Sequence, residues 1–146
     1  MALLIPSRTA QYPLVAEFTF NFDDTMVPAA GGAAVDFGAT NTSATTVEII
    51  PLPPGATVIG GSVDRTTAFD AATFNVTVGD EDDADRYLGT TDVKAVGSTA
   101  LVPTGYKGIG QNIRLTFTAA DVCTTGVCTV RVEYVVDDRS NEVQVA

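Results

Sequence analysis

The chain has 146 residues and a mass of 15.1 kDa, which indicates one domain large enough to enclose a hydrophobic core. Eight basic and eighteen acidic residues give a net charge of −10 at pH 7. This charge excludes nucleic-acid binding by a basic face and disfavours anionic membrane surfaces. The sequence contains no histidine and no tryptophan, and the missing histidine excludes catalytic triads and zinc sites that depend on it.

The first residues show no pattern of a targeting or membrane segment. Ala2–Ile5 is apolar, but Pro6 interrupts it, no basic leader precedes it, and a membrane span needs about 18 apolar residues. We therefore expect a soluble protein made in the cytoplasm of its host cell. Residues 1–14 lack a strand period and are predicted to be an extended N-terminal arm. A β domain over 15–136 and a C-terminal tail over 137–146 are predicted to follow.

Period-two alternation predicts the strands. In the first of them, Phe18, Phe20 and Phe22 fall on one face, while Glu17 and Thr19 fall on the other, as in a half-buried antiparallel strand. The predicted strands, in chain order, are Val15–Phe22, Thr45–Leu52, Val58–Asp64, Thr73–Val78, Asn112–Thr118 and Val127–Val136.

Short strands separated by Gly, Pro and Asp, with no helical period between them, predict an all-β fold. The segment from Arg86 to Gly97 is predicted to be mostly loop, with at most a helical turn near Thr90–Val96. The segment between Cys123 and Cys128 is predicted to be a turn that joins the last two strands as an antiparallel pair. An antiparallel β-sandwich of the jelly-roll type fits better than an immunoglobulin domain, which normally shows a Cys…Trp…Cys spacing.

An acidic run, Asp80 to Asp85, is the sharpest local feature of the sequence. Its carboxylates Asp80, Asp82, Asp83 and Asp85 are candidate ligands for Ca²⁺. The EF-hand spacing fails, however, because Ala84 stands at a ligand position. A solvated loop that Arg86 partly neutralises is therefore favoured over a metal site, and nothing in the sequence indicates a cofactor.

The two cysteines, Cys123 and Cys128, leave two alternatives open. They are either a disulfide across the predicted turn or two small buried residues at its end. Two thiolates without histidine leave a zinc site two ligands short. No nucleophile with a neighbouring base and no cofactor fingerprint is present, so the sequence predicts that the protein is not an enzyme.

The middle of the chain carries a family resemblance, over about Ile50–Gly97. The features that carry it, in order, are the turn and strand Pro53-Pro54-Gly55-Ala56-Thr57-Val58-Ile59-Gly60-Gly61, then Phe69-Asp70, Asn75-Val76-Thr77-Val78, Gly79-Asp80 with its acidic run, and Asp85-Arg86-Tyr87-Leu88. This order resembles the head decoration or cement proteins of podovirus-type tailed phages. The cysteine pair is a departure from that pattern.

The resemblance implies a β-sandwich, typically a homotrimer, that binds the major capsid protein on the outside of an assembled shell. The protein would then be part of the virion and would stabilise the shell against packaged DNA. Arg86 and Tyr87 match a recurring segment of the family and are interface candidates without an assigned role. The arm adds four more candidates for contacts with other subunits or with the shell, because its apolar residues lie outside the predicted core strands: Leu3, Leu4, Ile5 and Tyr12.

Two other functions compete with this interpretation. One is a carbohydrate-binding or adhesin-like sandwich whose acidic loop holds Ca²⁺, although only Tyr87 provides an aromatic side chain near that loop in sequence. The other is a different virion part of similar fold, such as a tail or neck protein, which the sequence does not distinguish from a head protein.

Overall fold

A computed structural model describes residues 2–145, and within them every regular element is a β-strand. No helix in this part of the chain is long and apolar enough to cross a membrane. The strands are β1 (Ser7–Ala10), β2 (Leu14–Asn21), β3 (Thr25–Met26), β4 (Val35–Asp36), β5 (Asn41–Ile50), β6 (Ala56–Thr67), β7 (Phe74–Gly79), β8 (Leu88–Asp92), β9 (Gly97–Ala100), β10 (Ile113–Ala119), β11 (Val127–Val136) and β12 (Glu142–Val145).

Eight of these strands form two four-stranded antiparallel sheets. One sheet has the order β2-β11-β6-β9 and the other has the order β5-β10-β7-β8. When the eight strands are numbered in chain order, the sheets become 1-8-3-6 and 2-7-4-5, which is the jelly-roll arrangement. The predicted all-β sandwich is confirmed. The two remaining pairs are β3 with β4 and β1 with β12.

The alternating apolar residues located the six longest strands but did not identify their partners. Val127–Val136 is a strand with the predicted bounds, and the other five predicted strands differ from the observed ones by a few residues. The predicted antiparallel pairing of the last two strands is wrong, because β10 and β11 belong to different sheets. The segment that contains Cys123 therefore crosses from one sheet to the other. Alternation shows that one face of a strand is buried, and it carries no information about the neighbouring strand.

The segment Arg86–Gly97 also differs from its prediction as mostly loop. Strand β8 lies within it, and β9 begins at its end. No helical turn forms over Thr90–Val96, where the sequence allowed at most one, because the first residues belong to β8 and those between the two strands are not helical. Both strands lie at sheet edges and are short and largely exposed, so they lack the buried alternation from which a strand is predicted.

Five phenylalanines form a closed ring in the core. Phe20 stacks on Phe37 at 4.5 Å between ring centroids, and Phe37 contacts Phe117 at 4.8 Å. Phe117 neighbours Phe74 at 6.0 Å, Phe74 contacts Phe69 at 4.4 Å, and Phe69 returns to Phe20 at 5.7 Å. All five side chains are fully buried. The ring joins both sheets and two loops, because Phe37 and Phe69 lie outside the strands.

The ring lies near the end of the sandwich at which β2 ends and β11 begins, which we call the far end. Here the Asp70 carboxylate accepts hydrogen bonds from the backbone N–H of Thr124 at 2.7 Å and from its hydroxyl at 2.5 Å. These bonds hold the pKa of Asp70 below its ordinary value. They also fix the crossing segment against Phe69, whose ring packs on Gly126.

Substitution Gly126→Ala tests this packing. A Cβ atom at Gly126 would lie 2.3 Å from Cδ1 of Phe69, and the backbone φ of +149° is unfavourable for other residues. We expect a loss of about 2–3 kcal/mol in the free energy of unfolding, measured by urea denaturation. The control is Gly89→Ala, where a Cβ meets no atom within 4 Å and the expected change is below about 0.5 kcal/mol. Equal losses of unfolding free energy in the two variants would contradict the close packing of Phe69 on Gly126.

Candidate functional site

The two termini of the chain form one structure. Strand β1 pairs with β12 in antiparallel register, from Ser7 opposite Val145 to Ala10 opposite Glu142. We call this pair the terminal ribbon. The ribbon continues from the paired strands β2 and β11, since β1 precedes β2 and β12 follows β11 in the chain. Both termini therefore leave the sandwich at the same end, which we call the arm end. An exposed ion pair between Arg8 and Glu142 links the two strands of the ribbon.

Two side-chain amides fix the base of the ribbon. Gln11 donates a hydrogen bond to the carbonyl oxygen of Val136 at 2.7 Å and accepts one from the N–H of the same residue at 3.0 Å. Asn141 donates its backbone N–H to the carbonyl of Ala10 at 2.6 Å, and its side-chain oxygen accepts the N–H of Tyr12 at 2.7 Å. The tail therefore sets the direction in which the arm leaves the sandwich.

The apolar residues of the arm are exposed on both sides of β1. Leu3 is 94% exposed, Leu4 is 87% exposed and Tyr12 is 78% exposed, while Ile5 is exposed to 58%. These four predicted interface residues are thus accessible to a partner. The sequence left the tail as either a partner-docking segment or a disordered or edge-covering terminus and did not predict its pairing with the arm, although the alternation in Glu142–Val145 is a strand signal.

Further exposed apolar side chains lie near the ribbon. The loop between β9 and β10 lies beside the end of β11. Gly55 joins them, because its backbone N–H donates to the carbonyl of Gly108 and its carbonyl accepts the N–H of Asp137. Most of the large exposed apolar residues lie on the ribbon and arm, on this loop, or on the adjoining starts of strands: Leu3, Leu4, Ile5, Tyr12, Val15, Ile59, Val102, Ile109 and Val143. Such a concentration on one side of a polar protein is typical of an interaction surface.

The acidic run pairs with Arg86, as the sequence predicts, but one of its carboxylates is buried rather than solvated. Asp80 is buried, at 4% exposure, and its carboxylate accepts the backbone N–H groups of Asp82 and Asp83, both at 3.0 Å. Arg86 Nε donates to the same carboxylate at 2.6 Å. Asp80 can be buried because this ion pair and these hydrogen bonds replace its hydration. Asp85, in contrast, is exposed.

Arg86 links the acidic loop to the loop between β9 and β10. Its guanidinium carbon lies 3.6 Å from the ring centroid of Tyr106, in a cation–π contact. Gln111 donates to Asp82 at 2.6 Å and to the Tyr106 hydroxyl at 2.7 Å. These contacts assign Arg86 a structural role, since it is held between two loops of its own chain.

Tyr87, the other interface candidate beside the acidic loop, is buried in the structure. Its side chain is only 4% exposed and belongs to the core, because the chain turns inward directly after Arg86. Burial raises the pKa of its phenol to about 12, and the charge of Asp80 adds to this effect. Tyr87 is therefore inaccessible to a partner in this conformation.

Among the described residues, no group of three or more His, Cys, Asp or Glu side chains is placed to hold a metal ion. Of the four candidate ligands, Asp80 and Asp83 are occupied by bonds within the loop. Asp82 binds Gln111. Both cysteines, Cys123 and Cys128, are buried free thiols rather than a disulfide in the structure.

A groove of about 610 Å³ runs beside the acidic loop. Its lining combines small residues with charged ones: Pro28, Ala29, Ala30, Ala44, Thr45, Thr46, Asp80, Glu81, Ala84 and Arg114. Arg114 Nη2 donates to Glu48 at 2.8 Å and lies 4.0 Å from Glu81. The hydrogen bond from Arg114 holds the pKa of Glu48 below its ordinary value. Sequence alternation placed Arg114 on an outward face but did not indicate the groove.

Arg114 also has a polar atom without a partner. Among the described residues, its Nε is the one buried side-chain nitrogen or oxygen that makes no hydrogen bond. A buried donor without an acceptor costs about 1–3 kcal/mol, so such groups are rare in folded proteins. Because this Nε is also closed off from solvent, an oxygen atom that entered the groove would not reach it.

No protein-family model matches the chain, and no curated protein matches it in sequence. Solved structures do match it. A chain of the acidic stable capsid structure of Helicobacter pylori bacteriophage KHP30 has a TM-score of 0.62 and 19% identity, over 98% of each chain. A chain of the cyanophage Pam1 capsid asymmetric unit has a TM-score of 0.59 and 18% identity, over 92% of each chain.

A third match is a chain in the capsid of Ralstonia phage GP4. It has a TM-score of 0.50 and 14% identity, and the match covers 95% of this chain and 93% of that one. The jelly-roll fold of this chain is therefore similar, over nearly its whole length, to chains found in three phage capsids. At these identities the likeness concerns the fold.

Substitution Asp80→Asn tests the buried ion pair. The amide leaves the partly buried Arg86 without its negative partner, so we expect the free energy of unfolding to fall by about 3 kcal/mol. Urea denaturation at neutral pH measures the change. The matched control is Asp85→Asn in the same loop, where an exposed charge is lost and the expected change is below about 0.5 kcal/mol. A wild-type stability for Asp80→Asn would mean that the loop contributes nothing to the fold.

The cysteines should be unreactive in the folded protein. Burial raises the pKa of the Cys128 thiol to about 12 and also raises that of Cys123, so little thiolate forms at pH 8. We expect no reaction with a disulfide reagent within minutes in buffer and two equivalents of reaction in 8 M urea. Prompt labelling of the folded protein would contradict the burial of the thiols.

The raised pKa of Cys128 also makes the stability depend on pH, because the folded protein binds the thiol proton more tightly than the unfolded chain, in which a thiol ionises near pH 8.5. This contribution to the free energy of unfolding is present below about pH 8.5 and is lost as the pH rises toward about 12.

Proposed function

We propose that the protein is a structural virion component, a decoration protein that binds the outside of an assembled phage capsid and stabilises the shell without catalysis. The observation that carries this proposal is the similarity of fold to chains of three phage capsids over 92–98% of this chain. Because the matches also cover at least 92% of each capsid chain, those chains are small sandwiches of about this length.

The distribution of apolar surface supports attachment to a shell over construction of the shell itself. A subunit that builds a closed shell contacts neighbours around its whole perimeter. Here the exposed apolar side chains concentrate on the arm end, while the outer faces of the sheets carry polar side chains such as the bonded pairs Thr46–Thr116 and Thr19–Thr129. One-sided attachment to a surface formed by the major capsid protein fits this distribution.

The charge of the chain supports an outer position. At −10 per chain the protein is repelled by packaged DNA, so the outside of the shell is favoured over its interior. We further propose a homotrimer in the virion, with a charge of about −30, which suppresses aggregation of free subunits. The jelly roll leaves sheet edges at β5, β8, β2 and β9, and association with other subunits is one means of covering them.

Binding to shells is testable directly. We expect purified protein to co-sediment with empty shells of its own phage in a saturable manner, at a fixed number of copies per shell. Shells of an unrelated phage provide the control. Because complementary charge steers the encounter, the association rate should fall as salt is raised. Absence of co-sedimentation, or equal binding to both kinds of shell, would contradict a decoration role.

The oligomeric state has its own measurement. We expect sedimentation equilibrium at micromolar concentration to give a mass three times that of the 15.1 kDa chain. Because the proposed contacts include the apolar arm, the trimer should persist in high salt, where repulsion between the acidic subunits is screened. A monomer under these conditions would refute the trimer and would leave the shell-binding test unaffected.

A further inference from the structure

Strand β2 is the least protected edge of the two sheets. Its eight residues pair with β11 without a register shift, no strand lies on its other side, and it contains no proline or lysine. The other three edges are short or interrupted. Strand β9 has four residues, β8 has five and a register shift, and β5 has two register shifts and a hydrogen bond from the Ala29 N–H to the carbonyl of Thr46. Proteins normally protect sheet edges in such ways, because an open edge is a template for another strand.

The free side of β2 carries backbone groups without partners. The Phe22 N–H donates to Gly126 at 3.0 Å, so every second residue before Phe22 also points its N–H and carbonyl toward β11. The residues between them point outward, and the N–H of one of these, Asn21, donates to Asp24 at 2.8 Å. The backbone groups of the other outward residues make no hydrogen bond within residues 2–145: Val15, Glu17 and Thr19. A strand added there would form about six hydrogen bonds over about 13 Å.

Side chains beside this edge are incompletely covered. Ala16 and Phe18 face the core, yet both are only half-buried, whereas Val132 and Val130 opposite them on β11 are fully buried. The difference arises because β11 has a neighbouring strand on both sides and β2 has one on a single side. A further strand would cover Phe18 and complete the burial of this corner of the core.

The charge along the edge decides which kind of strand fits. Strand β2, the turn after it and the adjoining residues of β11 and β6 carry five carboxylates and one guanidinium: Glu17, Asp23, Asp24, Asp64, Glu133 and Arg131. Arg131 binds both Glu17 and Asp64, so one cation is shared by two carboxylates and the edge stays strongly negative. Two copies of this edge would repel each other, whereas a strand that carries lysine or arginine is attracted.

We propose that an extended segment of the shell's major capsid protein, bearing lysine or arginine, adds to β2 as a fifth strand of the sheet. This inference rests on the proposed decoration role and names a contact that attaches the protein to the shell. In strand addition, backbone hydrogen bonds supply affinity and the side chains of alternate residues supply specificity. Val15, at the arm end of β2, is 56% exposed, so the open edge is continuous with the apolar surface of the arm end.

Hydrogen exchange at single-residue resolution tests the added strand on the wild-type protein. In the free protein we expect rapid exchange of the amides of Val15, Glu17 and Thr19, because no acceptor holds them. When the protein is bound to empty shells, their exchange should slow at least tenfold. The control is the opposite edge of the same sheet, where the outward amides of Ser98 and Ala100 on β9 should stay unprotected.

The possible results distinguish this contact from the decoration role. Slower exchange of the β2 amides on shells, without slower exchange of the β9 amides, supports strand addition. Slow exchange of the β2 amides without shells would assign the edge to a second copy of the chain and overturn the proposal. Unprotected β2 amides in shell-bound protein, or equal protection of both edges, would also overturn it and leave the decoration role standing. If the wild-type protein failed to bind shells, both would fall.

Substitution Thr19→Pro removes one outward donor. The lost N–H is not used within the sheet, and an edge strand tolerates proline at such a position. We expect shell affinity to fall at least tenfold, whereas the control Thr19→Val keeps the N–H, loses only the hydroxyl bond to Thr129, and should retain the affinity within twofold. Circular dichroism verifies folding, and the exchange measurement decides if the proline variant does not fold. Wild-type affinity of a folded Thr19→Pro protein would contradict the added strand.

Charge reversal tests the chemistry of the added strand. Asp23 is exposed in the turn after β2, so we expect Asp23→Lys to lower shell affinity at least fivefold. Asp85→Lys makes the same change in net charge in the acidic loop and should lower the affinity less than twofold. Equal losses in the two variants would show that only net charge matters and would overturn the choice of a basic segment.

Discussion

The closed ring of Phe20, Phe37, Phe69, Phe74 and Phe117 is the constraint on which the rest of the molecule depends. A sandwich of two sheets needs side chains that fill the space between them, and aromatic side chains bury more apolar area than any others. Because Phe37 and Phe69 come from loops, the ring draws those loops over the far end and closes it. The close contact of Phe69 with Gly126 extends this closure to the segment that crosses between the sheets.

Closure of the far end by aromatic packing leaves the loops of the arm end to be held in another way. There the loops are held by directed bonds: Asp80 with Arg86, Arg86 with Tyr106, and Gln111 with Asp82. Hydrophobic packing is non-directional, whereas ion pairs and hydrogen bonds fix geometry. The arm end is therefore the part of the molecule where surface chemistry can be arranged for a partner without loss of the core. The ribbon, the apolar loop and the groove all depend on this frame.

The sequence predicted much of the fold and little of the candidate site, and the reason is physical. Val127–Val136 and the other long strands have one buried face, so alternation reveals them. The burial of Asp80 is set by Arg86 and by two backbone N–H groups whose positions come from the folded loop, and a run of carboxylates gives no sign of it. Tyr87 shows the same limit, because its place in the core depends on the turn that precedes it. The pairing of the two termini brings together residues more than 130 positions apart, and only the fold creates that proximity.

The paired termini also change what the arm can do. A free arm of fourteen residues would sample many conformations, and each partner contact would have to offset the entropy of ordering it. Pairing with β12, together with Gln11 and Asn141 at the base, orders the first part of the arm before any partner arrives. Only the apolar residues beyond the ribbon then remain to be ordered on binding. The tail thus acts as a positioning element for the arm, and a partner contact made by Leu3–Ile5 depends on residues at the opposite terminus.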